Sequence, residues 1–164
     1  MKRIQITNNF YLEEFTQSDM ATRMGQEVVV EVGSEIYGHI VHLCETFFQP
    51  LRDYLKRPIT ILSGYRPDWL NTAVGGSPTS DHPLGLAGDF TVEGMTPLEV
   101  CLAAQELGLP YKQLIHEFGG WTHGSVPMPG GDADRAELTA YKIGKRTKYK
   151  LGLHSMESLT NGGE

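Results

Sequence analysis

Apolar residues recur at three- and four-residue steps through the first third of the chain. Ile36, Ile40, Leu43, Cys44, Phe47, Leu51, Tyr54 and Leu55 form one continuous stripe, which predicts a helix over residues 34–54. Pro50 interrupts it: either the helix kinks there, or a second helix begins with proline in its first turn. Upstream, Leu12, Phe15 and Met20 anchor residues 10–25. Ser18 ahead of Asp19 reads as an N-cap for a short helix ending near Gly25. Residues 27–32 are β-branched and are expected to be extended.

Further on the period changes. Residues 58–63 read as a buried strand that delivers Arg66 just past its end, and residues 67–73 as a short helix with Pro67 in its first turn. Gly75 and Gly76 then open a loop carrying residues 77–82. Residues 86–92 alternate: Leu86, Phe90 and Val92 face the helices, while Ala87, Asp89 and Thr91 share the other face. Thr96, Pro97 and Glu99 make a capping box for a helix that stops at Gly108, with Val100, Ala103, Ala104 and Leu107 on its buried face. Residues 113–118 and 121–126 are two strands joined across Gly119 and Gly120. A two-residue turn would put Glu117 and His123 on opposite faces. A three-residue turn, 118–120, pairs Glu117 with Trp121 and Ile115 with His123, all on one face. Residues 137–142 are expected as a further strand.

Composition narrows the class. At 164 residues with 40% apolar and 21% charged positions, the chain is sized for one globular domain. The net charge of -6 argues against nucleic acid as partner. No apolar run approaches the ~20 residues of a membrane span. The N-terminal residues lack the apolar stretch of a secretory signal, so the expectation is synthesis in the cytoplasm. Cys44 and Cys101 sit in apolar helical patterns and read as buried thiols, although a disulfide stays open.

The chemistry concentrates in two segments. Ser80 to Asp89 offers a histidine and an aspartate seven residues apart, and Glu117 to His123 a glutamate and a histidine six apart. Two imidazoles and one carboxylate suffice for a tetrahedral zinc site with one open position, beside which a free glutamate can take a proton from water. Asp89 inside a strand strengthens this reading, because aspartate is depleted in strands and rarely buried unpaired.

The segment Ser80, His82, Gly85, Ala87, Asp89, then Glu117, Trp121 and His123, resembles the signature of the zinc-dependent D-alanyl-D-alanine carboxypeptidase family. Ser63-Gly64-Tyr65-Arg66 and Leu70-Asn71 resemble its S-G-Y-R and L-N segment. The resemblance covers roughly residues 8–126 and is closest to short phage and prophage members. It implies His82, Asp89 and His123 as ligands of a Zn2+ cofactor, Glu117 as catalytic base and Arg66 as substrate-binding arginine; Asp81 stands where relatives often carry Gln. The implied fold is a single α+β domain of the hedgehog/DD-peptidase kind. In it a small antiparallel sheet carries the zinc site and packs against helices over residues 1–153; residues 154–164 are expected as a disordered tail. The implied partner is the peptidoglycan stem peptide, cut by a monomer that reaches the cell wall after release. The activity ranked first is D-alanyl-D-alanine carboxypeptidase. The alternatives are a lytic L-alanyl-D-glutamate endopeptidase and a non-catalytic zinc-bearing binding or phage structural module.

Each residue has a plainer reading beside it. Arg66 could be a structural ion pair; Trp121 could be core, or a wall that raises the pKa of Glu117. His39, His42, His116 and His154 read as structural. Lys142, Lys145, Arg146, Lys148 and Lys150 read either as a solvated strand edge or as a weak hold on anionic wall polymer.

Overall fold

The computed structural model describes residues 2–160. It is an α+β domain built on one six-stranded sheet of order β1-β2-β4-β3-β5-β6. The strands are β1 (Ile59–Ser63), β2 (Ala87–Val92), β3 (Gln113–Glu117), β4 (Trp121–Ser125), β5 (Ala136–Ile143) and β6 (Arg146–Leu151). Neighbours are antiparallel except β3 and β5, which run parallel, so the sheet is mixed rather than wholly antiparallel. β5 had been expected, but β6 had not: all six of its residues are exposed, so it carries no apolar pattern to read.

The N-terminal region forms two short helices, α1 (Leu12–Thr16) and α2 (Asp19–Arg23), with the Ser18 hydroxyl capping α2 by accepting from the Ala21 N–H. Residues 27–32 join no strand, and Val29 and Val32 are exposed; their β-branched run has no partner edge. The long helical region is continuous but changes pitch: α3 (Glu35–Leu43), a π-helical turn (Cys44–Phe48), then α4 (Gln49–Leu55) with Pro50 in its first turn. Proline lacks an N–H, and the wide turn before it absorbs the break in the ladder. The extra residue also rotates the stripe. Phe47 and Phe48 are therefore both fully buried, whereas Tyr54 is exposed.

β1 is an edge strand that buries only Ile59 and Ile61 and leaves Leu62 exposed; a register shift follows Ile61 before Ser63 pairs with Asp89. Pro67 sits one residue ahead of α5 (Asp68–Ala73), as its N-cap. The capping box of Thr96 and Glu99 starts α6 (Pro97–Leu107), whose buried residues are Val100, Cys101 and Ala104. One face of the sheet is covered by the long helical region and α6. Phe10, Phe15, Phe47, Phe48 and Phe90 form its aromatic centre, with ring centroids 5.0 to 6.3 Å apart. The other face carries the site.

Residues 154–160 of the tail return to the sheet. The His154 N–H donates to the Thr139 hydroxyl, the His154 carbonyl meets His116 Nδ1, and α7 (Met156–Thr160) follows. The last four residues of that expected tail lie outside the described residues.

Candidate metal centre and cleft

Strand register assembles the site in rows. Asp89 on β2 stands opposite His123 on β4, and His123 opposite Ile115 on β3. One row along, Trp121 stands opposite Glu117, the pairing that the three-residue turn at 118–120 demands. Phe118 and Gly119 both take positive φ in that turn. Residues opposite one another share a face, so β2, β3 and β4 bring Asp89, His123, Glu117 and Trp121 to one side.

His82 arrives from outside the sheet. It is the buried first residue of a 3-10 turn, His82–Leu84, and is held at several points. Its ring Nδ1 lies 2.6 Å from the Gly64 carbonyl, its backbone N–H donates to the Ser80 hydroxyl, and its carbonyl accepts from the Arg66 N–H. An Nδ1–H donated to Gly64 leaves the Nε2 lone pair free, and Nε2 faces Asp89 Oδ2 at 3.4 Å while otherwise lacking a partner. On the other side of the carboxylate, His123 Nδ1 is 2.9 Å from Asp89 Oδ1. One donor atom from each of His82, Asp89 and His123 lies within 4.8 Å of the others. Two imidazole nitrogens and a carboxylate oxygen, converging in a largely buried place around an orphaned lone pair, fit a zinc ion.

The electrostatics suit that use. Burial pushes the pKa of His82 down, outweighing the Asp89 carboxylate, which favours a neutral ring able to ligate. Burial alone would raise Asp89, but hydrogen bonds from His123 and His82 win and hold it below the usual carboxylate range. Glu117 is different. Burial pushes it up to about 7, against the pull of His123 and Arg66, so it can exchange a proton near neutrality. Arg66 is half buried, its Nε has no partner, and burial lowers its pKa despite Asp89 and Glu117 nearby.

These groups line one cleft of about 840 Å3. Arg66 and the loop over residues 74–81 form one side. Phe118 and Trp121, with ring centroids 5.6 Å apart, stand beside Glu117. Sequence reasoning missed three participants. Lys112 Nζ bonds the buried Asp81 carboxylate at 2.7 Å and so secures the turn bearing His82; Leu138 and Tyr149 extend the cleft onto β5 and β6. No local spacing signals any of the three, because each reaches the site through pairing between distant segments.

The other histidines sit apart from this group. His39, His42 and His116 each place a ring nitrogen on a backbone carbonyl, of Leu84, Pro127 and His154 respectively, and His154 does so on Leu151. Cys44 and Cys101 are free, buried thiols with pKa values raised by burial. The basic cluster is divided by the sheet: Lys142 pairs with Thr147 in the rows of the site face, while Lys148 and Lys150 alternate to the other face.

An imidazole–carboxylate–imidazole group, with a proton-exchanging glutamate and an open cleft beside it, defines a metallohydrolase. The Peptidase M15 family model matches residues 8–125, and the chain belongs to that family, whose members are zinc-dependent metallopeptidases. No curated protein matches the chain. Among the described residues no helix is long and apolar enough to cross a membrane.

Proposed function

We propose that this protein is a zinc-dependent peptidase of peptidoglycan stem peptides, of the D-alanyl-D-alanine carboxypeptidase type. The observation that carries the choice of bond is Arg66, a cationic side chain that lines the same cleft as Glu117 and the metal group. A guanidinium there is suited to a free C-terminal carboxylate, and a carboxylate held so near the metal group presents the last peptide bond.

His82, Asp89 and His123 would hold the zinc, which supplies an electrophilic centre that acidifies water and polarises a carbonyl. Glu117 takes a proton from the attacking water onto its carboxylate and returns it to the departing amine. Burial raises the Glu117 pKa and the bound cation pulls it back down, so the carboxylate can both take and return that proton. Arg66 holds the leaving residue's carboxylate and adds positive charge where negative charge develops. Phe118 and Trp121 keep water from one side of Glu117 and sustain its raised pKa.

Incubation with purified peptidoglycan and with a soluble stem pentapeptide, followed by mass spectrometry, tests this. The expected product is single D-alanine, lost on chelation. Release of intact stem peptides from the glycan, with falling turbidity, would favour the endopeptidase. Bound zinc with no product from either substrate would favour the binding module, a reading that the free, proton-exchanging Glu117 speaks against.

A further inference from the structure

The family match ends at residue 125, yet the cleft does not. Residues 136–151 add β5 in parallel register to β3, then β6. The metal row runs on across these strands: Asp89, His123, Ile115, Leu138, Leu151. The neighbouring row runs Trp121, Glu117, Ala140, Tyr149. Ala140 is a single methyl between Glu117 and Tyr149, and both of those side chains line the cleft. Tyr149 is 59% exposed on an edge strand, so no packing in the fold demands an aromatic ring there.

Arg66 follows β1, which is at one end of the sheet order, and the β5–β6 hairpin forms the other end. A peptide whose C-terminal carboxylate is at Arg66, with its last bond beside Glu117, therefore continues away from Arg66 across β3 and β5.

We propose that Leu138 and Tyr149 form a binding ledge for the acyl-side residues of the substrate peptide, with the Tyr149 ring as its main contact. This rests on the carboxypeptidase reading and adds to it a preference for long stems over short ones. The distances set where that preference begins. Tyr149 is two strand spacings from Glu117, about 10 Å. An extended peptide advances about 3.4 Å per residue, so about three acyl-side residues are needed to reach the ring. The dipeptide D-alanyl-D-alanine has one such residue, and a stem pentapeptide has four.

The test is steady-state kinetics of the zinc-loaded wild-type protein, Tyr149→Ala and Tyr149→Phe on the dipeptide and the pentapeptide. The wild-type enzyme should prefer the pentapeptide in kcat/KM. In Tyr149→Ala that preference should fall on the order of tenfold, through KM rather than kcat, as expected for loss of uniform binding by an aromatic contact. Tyr149→Phe, which keeps the ring, should retain it. An unchanged preference in Tyr149→Ala, or an equal loss on both substrates, overturns the ledge while leaving the carboxypeptidase in place. Loss in Tyr149→Phe equal to that in Tyr149→Ala overturns the ring as the contact. No D-alanine release from either substrate by the wild-type enzyme overturns the carboxypeptidase reading and the ledge with it.

Discussion

Gly88 lies directly across from Gly124 in the β2–β4 ladder, each one residue from a member of the metal group, Asp89 or His123. On the face behind that group, a Cβ at Gly124 would come within 2.6 Å of the Phe47 ring, and one at Gly88 within 2.7 Å of the Phe48 ring. Both phenylalanines belong to the π-helical turn. The long helix and the two strands that carry Asp89 and His123 are thus pressed together with no room for a side chain. The core behind the site fixes the backbone in front of it.

Gly124→Ala should therefore cost about 1–3 kcal/mol, as overpacking does in a filled core, and weaken zinc binding by shifting His123. Gly38→Ala is the counterpart. Gly38 lies within α3 with nothing near its missing Cβ, so that change should stabilise by roughly 0.5–1 kcal/mol. Urea unfolding of both variants, with metal analysis, checks the contrast.

Purified protein should hold one zinc per chain. Substitution of His82, Asp89 or His123 by alanine should abolish that binding and the activity. His116→Ala should retain the metal, because His116 alternates with Glu117 and faces the opposite side of the sheet. Elemental analysis of the four variants decides; a metal-free wild-type protein with full activity would sink the assignment.

Glu117→Gln should keep zinc and lose activity on the order of 10²-fold or more, the loss expected for a general base. In the wild-type enzyme the rate should rise with pH as Glu117 loses its proton, in a limb below about 7 because the bound cation lowers the metal-free value. That limb should vanish from the residual activity of the variant.

The same group makes an opposite prediction for stability. Its folded pKa is raised, so the metal-free native state binds more protons than the unfolded chain between about pH 4.5 and 7. Stability from this group is present below that window and lost as pH rises through it. Glu117→Gln should therefore stabilise the chelated protein at pH 8, on the order of 1–3 kcal/mol, and much less at pH 4.5. Urea titrations at the two pH values measure the difference.

Lys112→Ala would strand the buried Asp81 carboxylate. Asp81 also accepts the Leu84 and Leu86 N–H groups through its carbonyl, so the turn that presents His82 should loosen. The expected result is a loss of about 1–3 kcal/mol together with weaker zinc affinity. Asp81→Asn in the same background should recover part of the stability, because a neutral amide costs less to leave without a cation. A double-mutant cycle reads the coupling.

Much of this protein was legible in its sequence, because the features concerned are local or periodic. The stripe from Ile36 to Leu51, the Ser18 and Thr96 caps and the alternation around Asp89 each depend on residues a few positions apart. Even the three-residue turn at 118–120 followed from parity, since side chains in a strand alternate and Glu117 and His123 had to share a face. What escaped depended on partners distant in the chain. The π-helical turn that buries Phe48 and releases Tyr54 is set by Pro50 and by the tight seat against Gly88 and Gly124. The exposed β6 has no hydrophobic pattern of its own and exists only because β5 offers it an edge. Asp81 found Lys112, and Glu117 found Tyr149 beyond Ala140, through pairings that chain spacing does not encode. Sequence alone determined which residues could hold a metal and move a proton. Tertiary structure alone decided how far the cleft extends past them, because its outer strands are held by backbone pairing rather than by a pattern of side chains.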